Sequence, residues 1–497
     1  MPHRYYPDYE QFQALSRRGN VVPVYRQLMG DALTPVLAFQ KIASGPYAFL
    51  LESAAGPEKI GRYCFLGSSP FAIFKSTGRR VEIWDADGTR TMDAEDPLEE
   101  FRRYLARFRF AAVPDLPRFS CGAVGYMGYD VVRFVEDLPD CPPDDRGLAD
   151  IHYMFFDEVV IFDNLNKTVK VVCSQRTDGM DPHDAYRAAT GRIDALIERL
   201  RTPVTRSSED IEPAGKVDLP FESNFERADY LQVVERCKKY IGAGDIFQVV
   251  PSQRLSARTD AAPLDIYRVL RVVNPSPYMF FLRFDQVHLI GASPEVMVRV
   301  ENRTVTVRPI AGTRRRGADD AEDDRLAAEL LADPKERAEH IMLVDLGRND
   351  VGRVARYNTV ELTDTMVIEK YSHVMHIVSE VRGELRDGMD ALDALKAGLP
   401  AGTLSGAPKV RAMQIIDEME RTKRGPYGGA VGYFDFSGNM DTCIAIRTII
   451  MDGRTAYVQA GGGIVADSVP ETEFQETLNK SMALLRAIQV AERMRST

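Results

Sequence analysis

From residue 429 onward, apolar runs alternate with short polar turns: GAVGYFDF, SGN, MDTCIAIRTIIM, DGR, TAYVQAGGGIV. That rhythm predicts an antiparallel meander with tight turns. Elsewhere apolar positions recur at three- and four-residue spacing, the mark of a helix with one buried face. Ala185 to Leu200 follows this spacing, and so does KERAEHIMLVDL, with Asp333-Pro334 as N-cap and first helical residue. Ser223 with Glu226 predicts a capping box opening a helix through Tyr240. Ser468 with Glu471 predicts another, with Phe474, Leu478, Leu485 and Ile488 on its apolar stripe. The class is α+β: antiparallel sheets with helices on their outer faces.

The same pattern repeats at long range. PYAFLLE at 46–52 is answered by PYMFFLR at 277–283, and LGSSP at 66–70 by IGASP at 290–294. Gly88-Thr89 and Gly312-Thr313 follow those prolines at the same interval, and GAVGY at 122–126 recurs at 429–433. Four blocks in one order predict two duplicated halves packed as a sandwich, with a large helical insertion between Gly312 and Gly429. The period is too long for a solenoid. The polar stretch RTPVTRSSEDIEPAGKVDLP reads as the connection. It divides an N-terminal half, residues 1–215, from a second half, 222–497, which holds most of the chemistry-capable side chains.

Composition narrows the class. Hydrophobic content of 44% and charged content of 27% describe an ordinary globular protein. A net charge of −10 argues against a general nucleic-acid binder. No apolar run is long enough to span a bilayer. The six cysteines form no C-x-x-C, so neither a disulfide framework nor a zinc site is expected, and a cytoplasmic location is the expectation.

Candidate chemistry clusters late in the chain. Glu336 and Glu339 lie three apart on one predicted helix, Glu473 and Glu476 three apart on another, so each pair shares a helix face. Meeting faces would converge four carboxylates, a hard-oxygen set suited to Mg²⁺; two solvated pairs are the plain alternative. Gly461, Gly462 and Gly463 offer backbone N–H groups to a ligand, or make a flexible turn. Arg447, inside the apolar run CIAIRTII, needs a partner: a substrate carboxylate or a buried ion pair. His373 and His376 have metal-pair spacing but no third soft ligand nearby. A single histidine can serve as acid or base, or simply be structural. Arg314, Arg315 and Arg316 in PIAGTRRRG read as a solvated or salt-bridged run. No phosphate-loop or dinucleotide motif is present, nor a G-x-C-x-G nucleophile turn of a glutamine-hydrolysing module.

Taken together, PIAGTRRRG, ERAEHIMLVDLGRNDVGRV, LPAGTLSGAPK, GPYGGAVGYF, DTCIAIRT and QAGGGIVADSVPETEFQET resemble the chorismate-utilising enzyme family. The match runs from about residue 225 to the end. With LLES at 50–53 and GRYCFLG at 61–67, the N-terminal half is also similar. The closest resemblance is to the anthranilate-forming branch. It implies chorismate held over Mg²⁺, with substrate contacts at Gly312, Thr313, Tyr427, Arg447 and Gly461 to Gly463. It places the metal on Glu339 and Glu476, with Glu336 and Glu473 alongside. His376 falls at the family's catalytic-histidine position, and Thr403 near the leaving hydroxyl.

Two residues separate the branches by resemblance. Ala311 stands where the aminodeoxychorismate-forming branch carries a nucleophilic lysine. Gln248 stands where the isochorismate- and salicylate-forming branches carry a lysine that activates water. Both point to ammonia as the nucleophile; the missing glutaminase motif implies that it comes from a separate glutamine amidotransferase subunit, in a hetero-oligomer, or is used as free ammonia. The resemblance also implies feedback inhibition by tryptophan at Glu52, Ser53, Asn274, Pro277, Tyr278 and Met279. There the repeated PY blocks predict a site between two duplicated strands.

Overall fold

In the computed structural model, residues 4–53, 61–203, 210–371 and 374–494 are described. Their strands form two large antiparallel sheets, and both cross from one half of the chain to the other. The first, eleven-stranded sheet runs Val21–Met29, Thr168–Arg176, Glu158–Asp163, Tyr63–Ser68, Tyr47–Glu52 from the N-terminal half. It continues with Tyr278–Phe284, Val287–Ser293, Thr448–Asp452, Thr455–Gly461, Ser252–Arg258 and the short Glu222–Ser223. The two central strands are the repeated PY blocks, paired Met279 to Glu52 and Phe284 to Tyr47. Outward from that pair the order of one half mirrors that of the other.

The twelve-stranded sheet is built the same way around the GAVGY blocks, where Val124 pairs with Tyr433 and Tyr126 with Val431. These glycines are required by close approach. A Cβ on Gly125 would lie 2.0 Å from the His152 carbonyl oxygen, and one on Gly432 2.0 Å from that of Asp441. The duplication expected from the repeats is therefore an approximate two-fold axis relating the halves.

Each sheet is covered on both faces, which is why its central strands read as unbroken apolar runs such as GAVGYM, with every residue buried. An aromatic-rich layer, including Phe49, Phe65, Phe119, Tyr126, Phe280 and Tyr433, fills the space between the sheets. Outside the first sheet pack helices Pro182–Arg201, Pro263–Val273 and Pro470–Arg493. Outside the second pack Pro97–Leu105, Pro334–Val354 and Ala391–Gly398. The sandwich with outer helices is as expected.

Several local expectations need correction. The meander is not one sheet. Met440–Ile444 belongs to one sheet and Thr448–Asp452 to the other, and the chain changes sheets at Ala445 to Arg447. Arg447 is therefore not mid-strand; it turns the corner in the left-handed region, at φ 50°. The insertion is not wholly helical either, since it contains the hairpin Glu361–Lys370 and Val374–Glu384. Neither capping box forms. Pro470 sets the start of its helix, making Val469 the N-cap, while the Ser468 hydroxyl accepts from the Val465 N–H. Helix Arg227–Ala243 begins after Glu226, and Ser223 accepts from the Phe225 N–H and donates to Gln253.

The hairpin does more than decorate the fold. In the N-terminal half, Arg80–Asp85 pairs directly with Gly88–Asp93. In the second half, strand Val374–Glu384 is driven between the corresponding Thr304–Val307 and Ile310–Arg315. That wedge brings His376 opposite Thr313.

Candidate active site

A cavity of about 630 Å³ opens where the insertion meets both sheets. Helix Pro334–Val354 supplies Glu336 and Glu339 to its wall, and helix Pro470–Arg493 supplies Glu473, Glu476 and Lys480. The first start is as the sequence predicts: Asp333 caps it, accepting from the N–H groups of Lys335 and Glu336, with Pro334 next. The four carboxylates predicted by spacing thus line one space. Burial and then Glu336 push the Glu339 pKa up, and Glu473 is also raised, by burial first and with a contribution from Glu476. Cations answer part of this charge. Lys480 bridges Glu476, at 2.7 Å, and the Gly461 carbonyl, at 2.9 Å. Arg314 reaches Glu336 at 3.2 Å as well as Asp333 and Glu329. Among the described residues, no three of these groups are drawn together in ligating geometry.

The arginine run is salt-bridged throughout, with Arg315 on Glu322 and Arg316 on Asp323. Beside it Gly312 sits at φ 65°, in a bulge between Ala311 and Thr313. His376 stands one step behind this segment. Its Nδ1 lies 2.9 Å from the Gly312 carbonyl and 3.1 Å from the Thr313 hydroxyl. A carbonyl only accepts, so Nδ1 carries the proton and Nε2 is the basic nitrogen. Burial lowers the His376 pKa and keeps the ring neutral. His373 lies outside the described residues.

Arg447 and the exposed Lys335 are the wall's cations without an ion pair among the described residues. The Arg447 guanidinium donates to the Lys480 carbonyl at 2.8 Å. Burial pushes its pKa down. Tyr427 stands by Gly461, where an added Cβ would lie 3.1 Å from its hydroxyl. The buried Arg424, ion-paired to Glu420, lies 5.5 Å from the ring centre and donates to the carbonyls of Leu404 and Val250. Gly463 leaves room for Gln248, whose Nε2 a Cβ there would approach to 2.4 Å. Gly462 faces the second carboxylate pair, where a Cβ would meet Glu473 at 3.1 Å.

Sequence reading missed three groups in this wall. Lys480 and Gln459 carry no motif of their own. Glu295 was legible, because the repeats differ there: LGSSP is followed by Phe71, IGASP by a carboxylate. Glu295 is buried, and among the described residues its only side-chain hydrogen bonds are with the Thr403 hydroxyl, 3.2 Å from each oxygen. Burial raises its pKa to about 8. The mate position in the other half is packed shut. Phe71 contacts Phe108 and Phe155 there, and Arg192 pairs with Asp157 at the corner corresponding to Arg447. Among the described residues, only the second half carries a cavity of this kind at that position.

A family model described as chorismate binding enzyme matches residues 46–486. The chain belongs to the chorismate binding enzyme family. Relatives of this chorismate-binding enzyme include a Pseudomonas aeruginosa protein named anthranilate synthase component 1. It is 51% identical over 490 residues, covering 97% of this chain and 99% of the relative. A protein of the same name from Acetivibrio thermocellus is 47% identical, covering 99% and 100%. Among solved structures, anthranilate synthase component I of Streptococcus pneumoniae superposes with a TM-score of 0.78 at 39% identity, over 92% of this chain and 99% of that one. The menaquinone-specific isochorismate synthase of Escherichia coli shares the fold, with a TM-score of 0.69 at 18% identity over 97% and 98% of the two chains.

Proposed function

We propose that this chain is the chorismate-using component of an anthranilate synthase, converting chorismate and ammonia to anthranilate, pyruvate and water as a step of tryptophan biosynthesis. The observation that carries the reading is that Ala311 and Gln248 line the same cavity. The two positions at which a lysine would make a covalent nucleophile or a water-activating base both face the substrate space without one. The names of the relatives support the same reading.

Ammonia needs acceptors. Gln248 and Gln459 both line the cavity, and each has a buried side-chain carbonyl oxygen with no partner among the described residues. Ammonia held there attacks C2, the ring double bonds shift, and the C4 hydroxyl leaves. Glu295, protonated up to about pH 8, gives that hydroxyl its proton, and Thr403 orients the carboxyl. In the second step the C2 proton is removed and the enolpyruvyl group departs, taking up a proton to become pyruvate. We assign that deprotonation to the free Nε2 of His376, which stands behind Gly312 and Thr313 of the cavity wall. Arg447 and Lys480 hold carboxylates of the substrate. The donor set of Glu336, Glu339, Glu473 and Glu476 is all hard oxygen, and burial first, then neighbouring carboxylates, raises the pKa values of Glu339 and Glu473. These residues would hold Mg²⁺, which would supply a Lewis acid for the ring carboxylate.

The purified chain, given chorismate, Mg²⁺ and an ammonium salt at mildly alkaline pH, should develop anthranilate fluorescence. Glutamine alone should give none, because the amidotransferase is a separate subunit, and a chelator should abolish the signal. Chorismate consumed without anthranilate would sink the assignment.

Inhibition by tryptophan belongs to the same proposal. Glu52, Ser53, Pro277, Tyr278 and Met279, at one end of the central strand pair, line with Arg299, Tyr433 and Asp441 of the other sheet a second space of about 50 Å³ between the sheets. Asn274 lies just outside it, ending helix Pro263–Val273. Glu52 is tied to Tyr267 at 2.6 Å and Arg271 at 3.0 Å. An indole entering here must widen the gap between the sheets, each of which joins the two halves, and this links its binding to the relation between the halves. Ser53→Phe should abolish inhibition and leave uninhibited activity intact. Inhibition unchanged in that variant would remove this site from the proposal.

A further inference from the structure

The two-fold relation between the halves pairs cavities as well as strands. Cross-strand register places the row Tyr433, Asp441, Arg299 and Thr306 beneath the closed space beside Ser53. The corresponding row in the other half is Tyr126, His152, Lys75 and Glu82. Tyr47 occupies the position of Tyr278, each opening its central strand after a proline. In the first row the polar groups close on one another. The Tyr278 hydroxyl lies 2.8 Å from both Asp441 and Arg299, and Arg118 reaches Asp441 at 3.0 Å.

In the second row they do not. It borders an open cavity of about 710 Å³. Lys75, on its wall, makes no ion pair or side-chain hydrogen bond among the described residues. His152 Nε2 is buried without a partner, and burial holds the ring neutral, with a pKa of about 3. Phe284 lies against the His152 ring with centroids 4.3 Å apart, and Tyr47 and Tyr126 stand at 6.4 Å and 6.3 Å. Glu82 and Asp285 put negative charge on the same wall, Glu82 also meeting Arg80 at 2.9 Å. The chain's single tryptophan, Trp84, is half-exposed among the lining residues. A box of aromatic rings with an unpaired ammonium and carboxylates beside it suits a ligand that has a ring and both charges.

We propose that this cavity is a second small-molecule site, and that it takes the zwitterion of an aromatic amino acid. The ring lies among Tyr47, Tyr126 and Phe284, the ligand carboxylate meets Lys75, and its ammonium faces Glu82 and Asp285. The ligand class rests partly on the reading of the mate cavity as the inhibitor site.

Trp84 is the reporter, in the full chain, and L-phenylalanine the probe, since it does not absorb where indole is excited. A saturable change in Trp84 emission is expected, with matching heat by calorimetry. Lys75→Met should weaken binding about tenfold or more, the loss of one charge-assisted hydrogen bond. 2-Phenylethylamine, which lacks the carboxylate, should give no saturable change. Chorismate-dependent activity, which does not use Lys75, should persist in Lys75→Met and shows that the variant is folded. A linear response with no heat, or the same titration in both proteins, overturns the proposal. Tryptophan inhibition separates the two sites. Inhibition lost in Ser53→Phe and kept in Lys75→Met leaves both assignments standing. Loss in Lys75→Met with retention in Ser53→Phe overturns the mate as the inhibitor site and makes this cavity the inhibitor site.

Discussion

Glu295→Gln will lower kcat by roughly 10²- to 10⁴-fold while leaving the KM for chorismate nearly unchanged, the loss expected when a general acid is removed. Glutamine keeps the size of the carboxyl and its bond to Thr403, but it has no proton to give the leaving hydroxyl. The pH dependence follows from the same burial. The folded-state pKa, about 8, lies above the ordinary value of 4.5, so the acid form persists through neutral pH and the wild-type rate falls as pH rises through about 8. Stability moves the same way. The contribution from keeping this carboxyl neutral is complete below 4.5 and is lost as pH rises through about 8. Glu295→Gln should therefore unfold at a higher temperature than wild type at alkaline pH and at a similar temperature near pH 5. A pH–rate profile and thermal melts of both proteins check this. A variant of near-normal kcat, or one with no alkaline gain in stability, would remove Glu295 from the proton transfer.

The second large effect is on binding. Arg447→Met should raise the KM for chorismate about 100-fold, the ~3 kcal/mol expected for loss of one charge-assisted, desolvated contact with a carboxylate. The ligand-free chain should unfold no earlier, because the half-buried guanidinium makes no ion pair among the described residues and its removal ends a desolvation cost. Arg447→Lys should recover little, since a single ammonium does not reproduce the planar fork. Steady-state kinetics and melts without chorismate measure both halves of this prediction. A destabilised variant with an unchanged KM would make Arg447 a structural corner residue only.

Much of the site was readable before any coordinates. The two E-x-x-E pairs depend only on helical spacing, and both helices formed where the periodicity placed them. The Gly-Thr step and the glycine run were visible because backbone exposure there is local. Starts of helices were less reliable. Ser223 and Ser468 satisfy the local pattern of a cap, but a short strand and Pro470 take precedence at those points. Arg447 was correctly singled out for a charge in an apolar run, yet its true position, at the corner where the chain leaves one sheet for the other, depends on which strands pair. His376 could be noted but not placed. Its partner Thr313 is brought opposite it only because the hairpin displaces the strand that pairs with its neighbour in the other half.

By itself the sequence determined the duplicated halves, the α+β class, the helices bearing the carboxylates and the exchange of lysine for Ala311 and Gln248, because periodicity, repetition and residue identity are local properties. Tertiary structure alone decided that the four carboxylates share one wall, that Glu295 is buried enough to raise its pKa, and that one half keeps an open cavity while its mate is packed with phenylalanine. Those outcomes depend on desolvation and on bringing together residues far apart in the chain, such as Gln248 and Glu476 on one cavity wall, and spacing along the chain carries no information about either.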